Sequence, residues 1–281
     1  MQKLSAKSVT QALEPGLRER ILRVKTARGR APKLSVVLVG ENPASVIYTT
    51  QKGKRAAELG MEHETVILDS NATPSEVRDV VMRLNQDPSV DGILIQRPLP
   101  PSFVEEEVLY WVSPEKDVDA FHPVNTGRLT LGLPCFKPCT PYGVMKMLAH
   151  YGVEPAGKIA CVIGRSSIVG KPMAALLLQA NATVIQAHSR TPDLRSIAKL
   201  ADILVVAAGK PALIDASYIK EGAVVIDVGI HRDPQGKVIG DVIYDSAASR
   251  ASALSPVPGG VGPMTIAMLM ENTVWSAEQR S

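Results

Sequence analysis

Residues 158–172 constrain the fold of this chain more than any other stretch; they read Lys-Ile-Ala-Cys-Val-Ile-Gly-Arg-Ser-Ser-Ile-Val-Gly-Lys-Pro. A short apolar run, 159–163, stops at Gly164. A small polar loop leads to Gly170, and helix-forming residues follow from Met173. Strand, glycine turn and helix in that order predict the opening unit of a dinucleotide-binding fold. The glycines let the backbone pass close to a pyrophosphate, and the helix start offers free N–H groups and partial positive charge. The spacing Gly-x-Gly-x-x-Gly is absent: Gly164 and Gly170 stand alone, with Arg165 and Ser166 between them. Glycine turns between strand and helix also occur with no ligand, so the motif by itself leaves the function open.

The next strand narrows the cofactor. A second apolar run, 182–187, ends at His188-Ser189-Arg190-Thr191. In such folds a carboxylate about 20 residues after the glycines holds the ribose hydroxyls of NAD, whereas a basic or hydroxyl side chain accommodates the 2′-phosphate of NADP. Ser189 and Arg190 occupy that place and no carboxylate does. Arg165 supplies a second cation from the glycine turn. NADP is therefore the expected cofactor. Arg190 also has a plainer reading, as a solvated arginine at a helix start. Arg165 does not, because a helix N-terminus already favours anions and gives a cation there no structural motive.

With 281 residues the chain has room for two domains of ordinary size, and 45% apolar residues can fill both cores. A net charge of +3, with Lys and Arg dispersed and aromatics few, argues against a nucleic-acid partner. The three cysteines, Cys135, Cys139 and Cys161, form no paired framework, which suggests a reducing compartment. Cys135 and Cys139 are four apart, but no further Cys or paired His completes a zinc site, so no metal is expected. The start, Met-Gln-Lys-Leu-Ser, carries no apolar signal segment, and no run approaches membrane-spanning length. The expectation is a cytoplasmic protein with no membrane partner.

Along the chain, residues 5–27 read as a helix with Leu13, Leu17, Ile21 and Val24 on one stripe. Pro15 inside that pattern predicts a kink or a division. Residues 34–39 form a continuous apolar strand, as a strand buried on both faces of a parallel sheet requires. A helix from Ser45 to about Leu59 follows, then a strand at 65–68. Thr73-Pro74-Ser75-Glu76 is a capping box, and its helix carries Val77, Val80, Val81 and Leu84 on one face. Residues 92–95 are a third strand, and Ser102 with Glu105 is expected to cap a helix through Trp111. Residues 113–139, punctuated by prolines and glycines, read as a linker and binding loop. Thr140-Pro141 opens a helix to His150, and Thr191-Pro192 opens another. Residues 202–207 and 223–228 are strands, the second ending in Asp227-Val-Gly-Ile. A glycine–proline loop from Ser255 precedes a last helix over about 264–276. Strands alternating with helices predict an α/β protein with mostly parallel sheets.

Several polar positions could carry chemistry. Tyr48 and Lys52 are four apart, which puts them on one face of the predicted helix with Cβ atoms about 5–6 Å apart. Gln96 lies just past the strand 93–95, at the carboxyl end where parallel sheets collect ligand-facing groups. Asp117 and Asp119 lie in Pro-Glu-Lys-Asp-Val-Asp. A Lys, a Gln and an Asp converging on a cleft could activate a water and bind a polar heterocycle. Each alone has a structural reading: a half-buried Tyr beside a surface Lys, an amide capping a strand end, an Asp holding a turn.

Four segments taken together go further. They are Gln96-Arg-Pro-Leu-Pro, Pro114-Glu-Lys-Asp-Val-Asp, Gly164-Arg-Ser-x-Ile-Val-Gly-x-Pro and Pro256-Val-Pro-Gly-Gly-Val-Gly-Pro-Met-Thr. From about Leu34 to the last helix the chain resembles the bifunctional methylenetetrahydrofolate dehydrogenase/methenyltetrahydrofolate cyclohydrolase family, often called FolD. The resemblance implies tetrahydrofolate substrates and two steps. NADP takes a hydride from 5,10-methylenetetrahydrofolate, and water then opens the methenyl cation to 10-formyltetrahydrofolate. It implies Lys52 as the proton-transfer residue, oriented by Gln96, with Tyr48 packed on the folate rings. Asp119 would hydrogen-bond the pteridine's amino edge, with Leu99, Pro258, Gly259 and Gly260 lining the folate pocket. Gly164, Arg165, Ser166, Ser189, Arg190 and Ile230 would hold NADP.

Elementary chemistry agrees with these implied roles. Hydride loss from an N–CH2–N carbon is assisted by the nitrogen lone pairs and needs no strong base. Opening the cation does need an activated water, and a buried lysine beside a bound cation is driven toward its neutral, base-competent form. The resemblance implies an α/β protein of two domains with a cleft between them: a catalytic domain over 1–138 plus 263–281, and a Rossmann-type NADP domain over 139–262. It also implies a homodimer. Three positions depart from the family pattern: Arg97 replaces an apolar residue, Ala120 a common Gly, and Ala187 a frequent Cys. None removes a proposed catalytic group. A shikimate-type NADP dehydrogenase is the rival enzyme.

Overall fold

Residues 1–280 are described by a computed structural model, Ala44 through its backbone alone. In chain order the elements begin with β1 (Gln2–Lys3), α1 (Ala6–Arg28), β2 (Lys33–Val39), α2 (Pro43–Leu59), β3 (Glu62–Leu68), α3 (Pro74–Gln86) and β4 (Gly92–Ile95). Next come α4 (Glu105–Val108), α5 (Pro123–Thr130), α6 (Cys139–His150), β5 (Ile159–Ile163), α7 (Gly170–Gln179), β6 (Thr183–Ala187) and α8 (Leu194–Ala198). The chain finishes with β7 (Ile203–Val206), β8 (Val224–Asp227), β9 (His231–Arg232), β10 (Val238–Ile239), α9 (Tyr244–Ala248), β11 (Ala253–Leu254) and α10 (Val261–Glu278). They sort into two compact units, residues 1–12 with 138–268, and residues 13–137 with the chain from 269 onward.

The unit built on residues 13–137 holds a three-stranded parallel sheet, β3-β2-β4. The central strand β2 is buried at every position after Lys33, which explains why its sequence is apolar without alternation. Helix α3 starts as its capping box dictates: Thr73 Oγ1 accepts the Glu76 N–H at 3.3 Å, and the Glu76 carboxylate accepts the Thr73 N–H at 2.7 Å. Its face of Val77, Val80, Val81 and Leu84 packs with Val37, Val39 and Ile93. Asn272 and Ser276, on the part of α10 in this unit, tie it by polar bonds: Asn272 Nδ2 donates to the Val118 carbonyl at 2.8 Å, and Ser276 Oγ to the Asp91 carbonyl at 2.6 Å.

Four local expectations are corrected. Helix α1 runs unbroken through Pro15. Pro15 and Gln11, whose carbonyl loses its partner, are both exposed, so water serves that carbonyl. Helix α4 is a single turn without Ser102 as its cap, because the Phe103 N–H closes a turn onto the Pro100 carbonyl. The segment 113–139 contains α5, whose first N–H groups are served by His122: Nδ1 accepts from Val124 at 3.1 Å. Thr191 closes a turn with His188 rather than opening α8, and the Asp193 carboxylate takes the capping position through the Ser196 N–H.

The other unit holds a six-stranded sheet in the order β1-β11-β8-β7-β5-β6, parallel throughout. Counted from β5, the order is 2-1-3-4 with β11 and β1 beyond, one of the two common doubly wound arrangements. Winding reverses between β5 and β7, and in such sheets ligands bind outside the carboxyl ends of the strands at that reversal. The expected domain limits differ from these units at three places, the smallest being Pro138, which groups with the large sheet. Residues 1–12 group with the large sheet because Gln2 and Lys3 pair with Ala253 and Leu254 as its edge strand. A two-residue strand leaves no periodicity in the sequence to reveal it. At the far end the division falls inside α10, between 268 and 269, rather than before it. No helix among the described residues is long and apolar enough to cross a membrane.

Candidate active site

Lys52 is the most informative side chain of the smaller-sheet unit. It sits on α2, one turn after Tyr48, and is only 8% exposed. Burying an ammonium is costly unless it is hydrogen-bonded. Its Nζ donates to Gln96 Oε1 at 2.8 Å. Gln96 follows β4, where its backbone N–H donates to the Val37 carbonyl at 2.8 Å and so continues the sheet pairing. Its side-chain Nε2 donates to the Arg97 carbonyl at 2.6 Å. That second bond fixes which end of the amide faces the lysine. Tyr48, 39% exposed, presents its ring on the same helix face. Burial pushes the His63 imidazole down; Glu64 opposes this and the Lys52 charge adds to it.

Asp119 is half-buried and lines a shallow, open recess with Ile93, Ile95, Arg97 and Phe121. The loop that carries it is held by Asp117, whose carboxylate accepts the N–H groups of Phe121 (3.2 Å) and His122 (2.8 Å) and the Asn125 side-chain amide (2.9 Å). Burial pushes the Asp117 carboxyl up, against these donors. Ala120 adopts φ +62, a left-handed conformation that glycine takes without cost and alanine does not. Arg97 lies over the Phe121 ring at 5.7 Å and pairs with Glu105. Leu99 packs against the apolar core of this unit.

On the large sheet, Gly164 ends β5 at φ +136, and a Cβ there would overlap the Ala207 carbonyl at the end of β7. A Cβ on Gly170 would overlap the Gly164 carbonyl. The turn thus lies flat against both the neighbouring strand and the start of its own helix, a cradle that only glycine permits. Arg165 and Ser166 are exposed on it, and Ser166 Oγ accepts the N–H groups of Val169 and Gly170 at 3.2 and 3.3 Å. Ser189 and Arg190 are exposed just past β6, and Gln186 Nε2 ties that strand to the Gly164 carbonyl at 3.1 Å. Ile230, 49% exposed, stands just past β8. Space kept free of side chains by two glycines, a helix start and exposed cations fit a phosphorylated dinucleotide. Pro258, Gly259 and Gly260 belong to this unit, not to the one that carries Lys52.

Beneath this edge lies a carboxylate cluster that the sequence reading did not single out as functional. Asp227, 3% exposed, accepts the N–H groups of Gly229, Asp241 and Val242 at 2.9–3.0 Å. Burial pushes its carboxyl up to about 6, against those donors and helped by the nearby Asp241 charge. The native state therefore keeps this proton at a pH where the unfolded chain, at the ordinary 3.8, has lost it. Stability should fall as pH rises from about 4 to about 6, by at most about 3 kcal/mol. Urea unfolding across that range checks this: Asp227→Asn should flatten the slope, and an unaltered slope would contradict the assignment. Asn272 and Asp241 also escaped as site residues, since an aspartate or asparagine that serves backbone N–H or C=O groups has no spacing pattern.

Sequence and structural relatives agree on the family. The family model described as tetrahydrofolate dehydrogenase/cyclohydrolase, NAD(P)-binding domain, matches residues 138–281, and the one for the catalytic domain matches residues 4–119. The bifunctional protein FolD of Acetivibrio thermocellus is 55% identical over 247 residues, 88% of this chain and 87% of that protein. The FolD methylenetetrahydrofolate dehydrogenase/cyclohydrolase structure from Campylobacter jejuni is 45% identical, covers 100% of both chains and superposes with a TM-score of 0.97. The Trypanosoma brucei FolD structure, complexed with NADP and an inhibitor, is 39% identical with a TM-score of 0.93, covering 98% of this chain and 97% of that one. Two domain matches in tandem, around a lysine–glutamine pair in one unit and a glycine cradle in the other, leave one assignment: this chain belongs to the tetrahydrofolate dehydrogenase/cyclohydrolase family.

Proposed function

We propose that this chain oxidises 5,10-methylenetetrahydrofolate with NADP and hydrolyses the resulting methenyl cation to 10-formyltetrahydrofolate. The observation that carries the reading is the buried Lys52, held at 2.8 Å by an amide whose other end is itself fixed. NADP, when bound, supplies the hydride acceptor. Gly164, Arg165 and Ser166 would hold its pyrophosphate, Ser189 and Arg190 its 2′-phosphate, and Ile230 would line the nicotinamide end. Tyr48 and Leu99 pack on the folate, and Asp119 accepts hydrogen bonds from the pteridine's amino edge. Two parallel N–H···O bonds to one carboxylate fix orientation as well as affinity.

In the second step water adds to the methenyl carbon, a C–N bond of the ring breaks, and one proton is released. Lys52, neutral beside the bound cation, takes the proton of the attacking water, while Gln96 Oε1 keeps Nζ aimed. Assembly as a homodimer and a cytoplasmic location belong to the same proposal and rest on the family alone. The test is a parallel assay of the purified chain. NADP should be reduced with 5,10-methylenetetrahydrofolate and not with shikimate, and NADP should outperform NAD. Turnover of shikimate, or NAD preferred over NADP, would sink the reading.

A further inference from the structure

Asp241 is fully buried in the large-sheet unit, yet it belongs to no strand, and its carboxylate reaches two of the loops that follow parallel strands. Its Oδ2 accepts the N–H groups of Ala208 and Gly209, at 2.7 and 2.9 Å, in the loop after β7. Its Oδ1 lies 2.7 Å from His231 Nε2, in the segment after β8, next to Ile230. A Cβ on Gly229 would collide with the same carboxylate, so the β8 loop runs directly against it. The loop after β7 also begins at Ala207, whose carbonyl is the group that Gly164 must avoid. Both loops leave the carboxyl ends of strands, the ligand edge of such a sheet, and β7 borders the point where the winding reverses.

The geometry points to Asp241 as a positioning residue for the dinucleotide: a single buried carboxylate that clamps the β7 loop through two N–H groups and the β8 loop through His231. This rests on the NADP reading given above. Asp241 touches no ligand. It fixes the backbone against which the Gly164 turn lies and the segment that carries Ile230. A buried N–H left without an acceptor must find water or move, and either displaces the loop. NADP then meets a site that is correctly formed only part of the time, and its apparent affinity falls by that fraction.

The test uses direct NADP titration by calorimetry, with NADP-independent hydrolysis of methenyltetrahydrofolate as an internal control on the other unit. Asp241→Ala should raise the NADP Kd about tenfold, and KM for NADP in step, with hydrolysis within about twofold of wild type. Asp241→Asn keeps an acceptor oxygen for both N–H groups and should stay within about threefold of wild type. His231→Ala, at a half-buried position, should weaken NADP about threefold. Wild-type NADP affinity in folded Asp241→Ala overturns the inference, as does a parallel fall of NADP binding and hydrolysis, which marks general structural loss. Should Asp241→Ala fail to fold, His231→Ala decides: weakened NADP with unchanged hydrolysis supports the clamp, and unchanged NADP affinity overturns it. If the wild-type protein binds no NADP, it is the parent reading that fails.

Discussion

Lys52→Met is expected to slow methenyltetrahydrofolate hydrolysis by about 10³-fold while NADP binding stays intact, since proton transfer by a positioned side chain contributes roughly 10²–10⁴-fold. Methionine keeps the unbranched stem that fills the buried position and removes only the group that takes a proton. Hydride loss from the methylene carbon draws on the substrate's own nitrogen lone pairs, so the oxidation should persist. Lys52→Arg sharpens the result. Arginine supplies charge and donors to Gln96 but does not deprotonate. If Arg restores hydrolysis, Lys52 acts through its charge, and the role of base is wrong. If both variants fail and Gln96→Ala loses a smaller part of the rate, the base is Lys52 and the amide is its aim, held at 2.8 Å in the native protein.

Gly164→Ala carries the second large effect, on the dinucleotide alone. The residue sits at φ +136 with the Ala207 carbonyl where a Cβ would go. Strain of this kind costs about 1–3 kcal/mol, and relieving it means moving the turn off β7. We expect NADP affinity to fall about 100-fold, the equivalent of about 2.7 kcal/mol, with a lowered melting temperature. Hydrolysis of methenyltetrahydrofolate, which depends on Lys52 and Gln96, should remain within about twofold. An NADP Kd within about threefold of wild type would show that the turn tolerates the methyl and that the cradle is placed elsewhere.

Much of this was legible before any coordinates. Strand β2 and helix α3 announce themselves, one by an unbroken apolar run, the other by Thr73 and Glu76 followed by an apolar face. Gly164 and Gly170 mark the turn because no other residue fits the close approach. The spacing of Tyr48 and Lys52 places them on one face of α2, but only coordinates show Lys52 buried and bonded to Gln96, 44 positions away. The failures share a cause. The edge strand β1, the short helices α4 and α5, and the buried Asp227 and Asp241 are set by partners distant in sequence or by isolated backbone groups. Neither hydrophobic period nor motif records such partners. Ser102 and Thr191 show the converse: residues of the right type for a cap, taken up instead by turns of their own.

One sample decides the central claim, that a single chain oxidises its folate and then hydrolyses the product through Lys52. Purified protein is given 5,10-methylenetetrahydrofolate and NADP, and NADPH, methenyltetrahydrofolate and 10-formyltetrahydrofolate are followed together. The wild-type protein should form NADPH and 10-formyltetrahydrofolate in matching amounts, and Lys52→Met should form NADPH while the methenyl compound accumulates. Matching amounts from Lys52→Met as well, or no NADPH from the wild-type protein, would contradict the account.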